Sequence, residues 1–223
     1  MKGLTVSPFL RSGLLLLAAL PLAACNSLTA DSVATFRVLA DGKLNRISPE
    51  QINNPKADTL FIAAGRAEGL YVAPAGSSGV VQWYGLTEQL ETQYGRITQL
   101  VGLETDVNAP LNQDDPFVQG LLTVADGTEV VRSVDLPLTY QTGLQQIATY
   151  YRGPLEQFTS EPGQPYQRID EHVRMPDLGF ETTNYYWVDP ATGRVRRSIQ
   201  QPAPGMLTMD MLFSYQPAQG EQP

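Results

Sequence analysis

Two residue types that carry much side-chain chemistry occur once each in this 223-residue chain, as Cys25 and His172. One thiol cannot close an internal disulfide, and one thiol with one imidazole cannot supply the ligands of a usual metal site. A serine nucleophile would need His172 as its base. The segment "QRIDEHVRM" reads instead as a strand, with Arg168, Asp170, His172 and Arg174 on one face and Ile169, Val173 and Met175 on the other. His172 then belongs to a polar stripe, the setting of a solvated histidine near Asp170. Gly76-Ser77-Ser78-Gly79 lacks the nucleophile-elbow pattern and reads as a turn. Glycan hydrolysis needs two carboxyl groups facing each other roughly 5 to 10 Å apart. Asp114-Asp115 and Asp170-Glu171 do not supply that, because neighbours on a strand point to opposite faces. With no phosphate loop, dinucleotide fingerprint or metal spacing either, the expectation is a protein that is not an enzyme, with no catalytic residues, cofactor or metal.

Cys25 has a different use. Before it lie two basic residues, Lys2 and Arg11, an apolar core from Leu14 to Leu20, and small Ala23 and Ala24, which are the parts of an export signal. The core is too short to span a bilayer. Leu22-Ala23-Ala24-Cys25 resembles the bacterial lipobox, in which cleavage precedes the cysteine and its sulfur and new amino terminus are acylated. Each buried methylene contributes about 0.8 kcal/mol, so several chains hold almost irreversibly. The organisation expected is a signal peptide at 1–24, a lipidated tether at 25–34, one β-rich domain at 35–216 and a disordered tail at 217–223. Asn26 rather than aspartate follows the cysteine, which favours sorting to the outer membrane, with the domain on its periplasmic face.

The leader holds two of the 15 basic residues and none of the 23 acidic ones, so its removal takes the formal charge from −8 to −10. Such a domain repels phosphate backbones, which makes nucleic acid a poor partner. Against that acidic background, aromatic residues lie beside arginines in one carboxy-terminal hairpin. Tyr185, Tyr186 and Trp187 face Arg194, Arg196 and Arg197. Aromatic faces stack on sugar rings and guanidinium forks bind carboxylates, so Tyr185, Trp187, Arg194, Arg196 and Arg197 are candidate contacts for an acidic glycan. The competing reading is that alternate aromatics, such as Tyr186 or Trp187, are the core of a half-buried sheet.

The elements that must position these residues are mostly strands. Asp31 to Leu39 and Ser48-Pro49-Glu50-Gln51 carry helix-start signals, and helical signals mostly stop there. Hairpins are expected from "GLYVAP" and "GVVQWYG", from "TEQLETQY" and "RITQLVGL" at Gly95, and from "FVQGLLTV" and "TEVVRSVDL" around Asp126-Gly127. A further hairpin joins "TNYYWVD" to "RVRRSIQQ" through Pro190 to Gly193, where Gly193 is expected at positive φ. Residues 164–175 and "MLTMDMLFSY" are expected as single strands, and Leu103 to Pro116 as a long loop. Serial hairpins make an antiparallel meander.

The hairpin segment "NYYWVDPATGRVRRSIQQPAPG" resembles the carboxy-terminal signature of the group 4 capsule polysaccharide lipoproteins, the GfcB/YjbF family. "GLTEQLETQYGRITQLVGLETDV" is similar to that family's strand, a turn ending in Gly-Arg, and a strand closing on V-G-L. The resemblance implies an outer-membrane lipoprotein encoded with capsule or exopolysaccharide secretion machinery. It also implies a large antiparallel meander curled into a half-barrel, with short helices packed near the amino terminus. It brings no catalytic residues. The function expected is accessory, in polysaccharide assembly or export, with acidic glycan or secretion proteins as partners and the membrane reached through the lipid. A lipid or lipoprotein carrier with an apolar cavity and a periplasmic glycan hydrolase are the alternatives. Because the expected anchor is covalent lipid, Cys25→Ser should leave the domain folded and release it from membranes. Membrane fractionation checks this, and a variant that still sediments with the outer membrane in high salt would refute it.

Overall fold

The computed structural model describes residues 57–85, 88–103 and 105–216. Cys25, the helix signals at 31–39 and 48–51 and the tail at 217–223 lie outside these described residues. Strands β1 (Ala57–Ala64), β2 (Ala67–Pro74), β3 (Val80–Tyr84), β4 (Gln89–Gln93), β5 (Arg96–Val101) and the two-residue β6 (Val107–Asn108) precede a single helical turn, α1 (Pro116–Gln119). There follow β7 (Thr128–Leu136), β8 (Gln141–Gln157), β9 (Pro165–Met175), β10 (Phe180–Val188), β11 (Val195–Gln200) and β12 (Met209–Ser214). Every neighbouring pair is antiparallel, and β12 returns to β1, so the sheet is a closed barrel.

Closure corrects the half-barrel expected above. The meander itself is as expected, but β1 and β12 pair in unbroken register from Thr59↔Ser214 to Ala64↔Met209. That pairing removes the two edges a half-barrel would leave open, whose unpaired backbone groups are a liability. Fully buried Asp58 clips the same seam. Its carboxylate accepts the backbone N–H groups of Gly76, Ser77 and Gln216 at 3.3, 2.9 and 2.7 Å.

A second correction concerns "FVQGLLTV", which is not a strand. Asp115 caps α1 through its side chain, Pro116 takes the first turn, and Phe117 and Leu121, four residues apart, are both buried. Gly120, at φ +105°, ends α1 between them, and Leu121 opens a separate 3-10 turn to Thr123, so the two buried side chains come from two successive turns. The long loop expected at 103–116 is largely that, apart from β6 and the start of α1.

A barrel of twelve strands is wider than side chains of ordinary size readily fill. Two devices close the lumen. Phe117 enters it against Tyr186 and Tyr150, with ring centroids 4.8 and 6.1 Å away. The β4–β5 turn also crosses to β11, which is not its neighbour in the sheet. Gln200 donates to the Gly95 carbonyl at 2.8 Å and accepts the Ile97 N–H at 2.9 Å. A Cβ on Gly95 would lie 2.5 Å from the Val195 Cβ, and its φ is +88°.

Between these devices lies a buried polar network centred on Glu171. Its carboxylate accepts from Arg132 at 2.6 Å, Arg96 at 3.3 Å, Tyr150 at 3.0 Å, Asn184 at 2.8 Å and Tyr186 at 2.9 Å. Arg132 also donates to Asp115 at 2.7 Å, and both arginines donate to Gln146. Two cations thus meet two anions, and no buried side-chain polar atom among the described residues is without a partner. Burial would push the Glu171 carboxyl up, but Arg96, Arg132 and the Asn184 N–H hold it well below the usual carboxylate range.

Removing one partner of a buried ion pair leaves the other uncompensated, so Glu171→Gln should cost about 3–5 kcal/mol at neutral pH. With the folded-state pKa depressed, the ionised carboxylate stabilises the barrel fully above its unfolded pKa of about 4.3 and progressively less below it. Urea denaturation of wild type and Glu171→Gln should therefore show a gap that is constant near neutrality and narrows below about pH 4. A gap independent of pH would show that Glu171 is not held as a carboxylate. Gly193, at φ +71° with open space around it, isolates backbone strain, and Gly193→Ala should cost about 1–2 kcal/mol. Gly95→Ala should cost more, because its methyl also meets Val195. Equal losses in thermal melts would mean that the β4–β5 turn does not press on β11.

Candidate functional site

Alternation along β10 sends Tyr186 and Val188 into the lumen and Tyr185 and Trp187 to the outer face. Trp187 stands in register with Arg197 of β11. The Arg197 guanidinium lies 5.0 Å from the Trp187 ring centre and 5.7 Å from that of Phe158. Asp210 binds it in bidentate fashion, at 2.8 and 2.6 Å. Tyr185 carries Arg168 at 5.5 Å, and Arg168 is matched by Glu156 at 2.6 Å and Asp170 at 2.8 Å. Glu156 also accepts the Trp187 indole N–H at 2.7 Å.

The β8–β9 connection completes this face. Phe158 stacks on Tyr166 with centroids 4.7 Å apart and meets Trp187 edge-on at 6.1 Å. Glu161 binds Arg196 and the Tyr166 hydroxyl. Burial and the Glu161 charge push that hydroxyl up to about 12. Beside this cluster runs a groove of about 500 Å³, floored by Phe61 and Leu212 and walled by Phe158, Arg197 and Asp210. Trp187 and Tyr166 are buried within this cluster, and Tyr186 in the lumen, as the competing core reading of the aromatics expected, so the outer surface presents the half-buried rings of Phe158 and Tyr185 with charge-matched arginines.

Of the residues singled out in the sequence, the fold brings together Tyr185, Trp187 and Arg197. Arg194 and Arg196 instead line a neighbouring cavity of about 390 Å³ together with Tyr166 and Asp189. A bulge sets the faces of β11, because Trp187 pairs with Arg197 while the adjoining Val188 pairs with Val195, so Arg196 is the extra residue and both Arg196 and Arg197 turn outward between buried Val195 and Ser198. Arg196 turns to Glu161 and the Phe213 carbonyl. Arg194 lies at one end of the barrel, donating to the Ser77 carbonyl with its guanidinium 3.6 Å from the Tyr215 ring centre. That end opens into a cavity of about 410 Å³ bounded by the turns at 78–79, 94–95 and 192–195, with α1 behind them. His172 is exposed beside Tyr151, with ring centres 4.9 Å apart.

The sequence reading placed Arg168 and Asp170 on the polar face of their strand without joining them to the site, and it missed Phe158, Glu156 and Asp210 on the outer face and the whole interior network. A signal for the network was present. Arg132 shares its strand face with Val130 and Val134, and Glu171 shares its face with Ile169 and Val173. A charge on an apolar face requires a partner inside. An ionised carboxylate with its acceptor sites filled neither gives nor takes a proton near neutral pH, so Glu171 acts as a fixed strut. Among the described residues no group of histidine, cysteine and acidic side chains is placed to hold a metal.

The family described as group 4 capsule polysaccharide lipoprotein GfcB, YjbF matches residues 34–213. Among solved structures, the hypothetical lipoprotein YmcC from Escherichia coli K12 is similar at a TM-score of 0.63 and 23% identity. The match covers 84% of this chain and 97% of YmcC, and it supports the fold. No curated protein matches the chain. The hairpin with the Trp187–Arg197 pair and the Gly95-Arg96 turn that feeds the lumen both fall inside the matched span. The chain belongs to the group 4 capsule polysaccharide lipoprotein family.

Proposed function

We propose that this chain is a non-enzymatic accessory lipoprotein of capsule or exopolysaccharide assembly and export, anchored through Cys25 at the periplasmic face of the outer membrane. Its outer aromatic and arginine face contacts the polymer. The observation that carries this reading is the open groove lined by Phe158 and Arg197, with half-buried Tyr185 beside it and Trp187 packed behind Arg197, a shape suited to a chain that passes through rather than a ligand that is enclosed. A lipid carrier calls for an apolar lumen, whereas this lumen holds Phe117 and a charged network. A hydrolase calls for carboxyls free to exchange protons, whereas Glu171 in the lumen is held as a carboxylate by Arg96 and Arg132.

The arginines of the outer face are matched by Asp210, Glu156 and Asp170, so this face grips by stacking and hydrogen bonding more than by net charge. Tyr185→Ala with Arg197→Ala should lower surface polysaccharide several-fold in cells carrying wild-type amounts of the lipoprotein. Arg174→Ala, on the outer face of β9 away from the cluster, serves as the control. Normal polymer in the double variant would reject this face as the working surface.

A further inference from the structure

We infer that the open end of the barrel beside the β10–β11 turn is a second binding site, for a carboxylated sugar unit, with Arg194 receiving the carboxylate and Tyr94 the sugar face. The inference takes its ligand class from the polysaccharide reading but does not depend on the outer face. Arg194 differs from the other arginines of this region. Arg168, Arg196 and Arg197 each hold a carboxylate, whereas among the described residues no carboxylate lies within ion-pair reach of Arg194. It is nonetheless held in place, by the Ser77 carbonyl and by stacking on Tyr215. A positioned, unmatched guanidinium on a strongly acidic chain is a specific anion acceptor.

The surroundings fit such a ligand. No acidic side chain lines the cavity, and Ser78, Gln119 and Thr192 are among its polar lining residues beside Arg194 and Tyr94. Its volume, about 410 Å³, is within the roughly 300–1,000 Å³ of small-molecule sites. On its other side Arg194 shares a cavity of about 390 Å³ with Asp189 and Arg196, but Asp189 is occupied by its own turn, accepting from Ala191 at 2.8 Å and Thr192 at 3.0 Å, and Arg196 by Glu161.

Tyr94 is the second, independent sign. It occupies the first position of the two-residue β4–β5 turn at φ +52°, where asparagine, aspartate or glycine is preferred, and it is 43% exposed. A large ring held exposed in a left-handed backbone conformation is a local conflict of the kind that marks functional positions. This ring lines the cavity.

Calorimetric titration of the full chain with D-glucuronate and digalacturonate tests the assignment, with glucose and acetate as partial ligands that carry only the ring or only the carboxylate. Both uronates should bind, and each partial ligand at least ~10-fold more weakly, the worth of about one charge-assisted hydrogen bond. Arg194→Gln should weaken uronate binding ~10-fold. Tyr94→Asn should weaken it too while leaving the thermal midpoint unchanged or raised, since asparagine suits that turn; this separates binding from folding. Glucose or acetate binding as tightly as glucuronate, unchanged affinity in either variant, or no binding of either uronate at millimolar concentration would overturn the site. The Tyr185→Ala, Arg197→Ala variant should bind uronate as wild type does, so the two sites stand or fall separately.

Discussion

Glu171 is the constraint from which much of this barrel follows. A carboxylate with no solvent contact is tolerated only if its charge is met and its oxygens are filled. Here β5 supplies Arg96, β7 supplies Arg132, β8 supplies Tyr150, and β10 supplies Asn184 and Tyr186. These donors come from both sides of β9 and from across the lumen, so a slip of one residue in β5, β7, β8 or β10 would turn its donor outward and strand the charge. A buried ion pair is weak evidence for net stability, since apolar residues of equal volume often do as well. Its value here is register. A long meander with repetitive polar and aliphatic alternation has few other features that distinguish one alignment of strands from the next.

The same requirement explains the lumen's contents. Asp115 is at once the cap of α1 and the partner of Arg132, so the turn that drives Phe117 inward is tied to the network it packs against. Arg96 reaches Glu171 because Gly95 lets the β4–β5 turn press on Val195. Local backbone chemistry, the plug and the central charge are therefore one cooperative unit, and the lumen is a filled core despite its strand count.

Much of the meander was legible because period-2 alternation is a local property. Where strands are regular, as in β7, β9 and β12, their faces follow from residue order alone. Three features escaped for physical reasons. β8, the longest strand, is interrupted at Gly153-Pro154 by a bulge and alternates poorly, so its sequence does not announce a strand. The β1–β12 seam joins the two ends of the described chain, and no local pattern encodes it. The run "FVQGLLTV" is apolar enough for either period, and the cap at Asp115 that decides it lies before the run. At the candidate site the aromatic pair was legible, but the arginines were treated as one patch. A single extra residue in β11 turns Arg197 outward onto Trp187 and Asp210, while Arg194 and Arg196 line a cavity of their own.

That division bears on how weak contacts become useful. An arginine already paired with Asp210 or Glu156 gains little from a further anion, and each exposed contact is worth roughly 1 kcal/mol or less. One such face would scarcely retain a single sugar. A polymer changes the arithmetic, because a repeating chain offers the same ring and carboxylate many times, and each engagement raises the effective concentration for the next. An open stacking surface on a rigid barrel would then hold the strand while letting it move. A separate pocket with one unmatched arginine at the barrel end would supply the selectivity for acidic units that the charge-balanced face lacks. Grip and discrimination would thereby be assigned to different parts of one hairpin, Arg197 within β11 and Arg194 in the turn that precedes it.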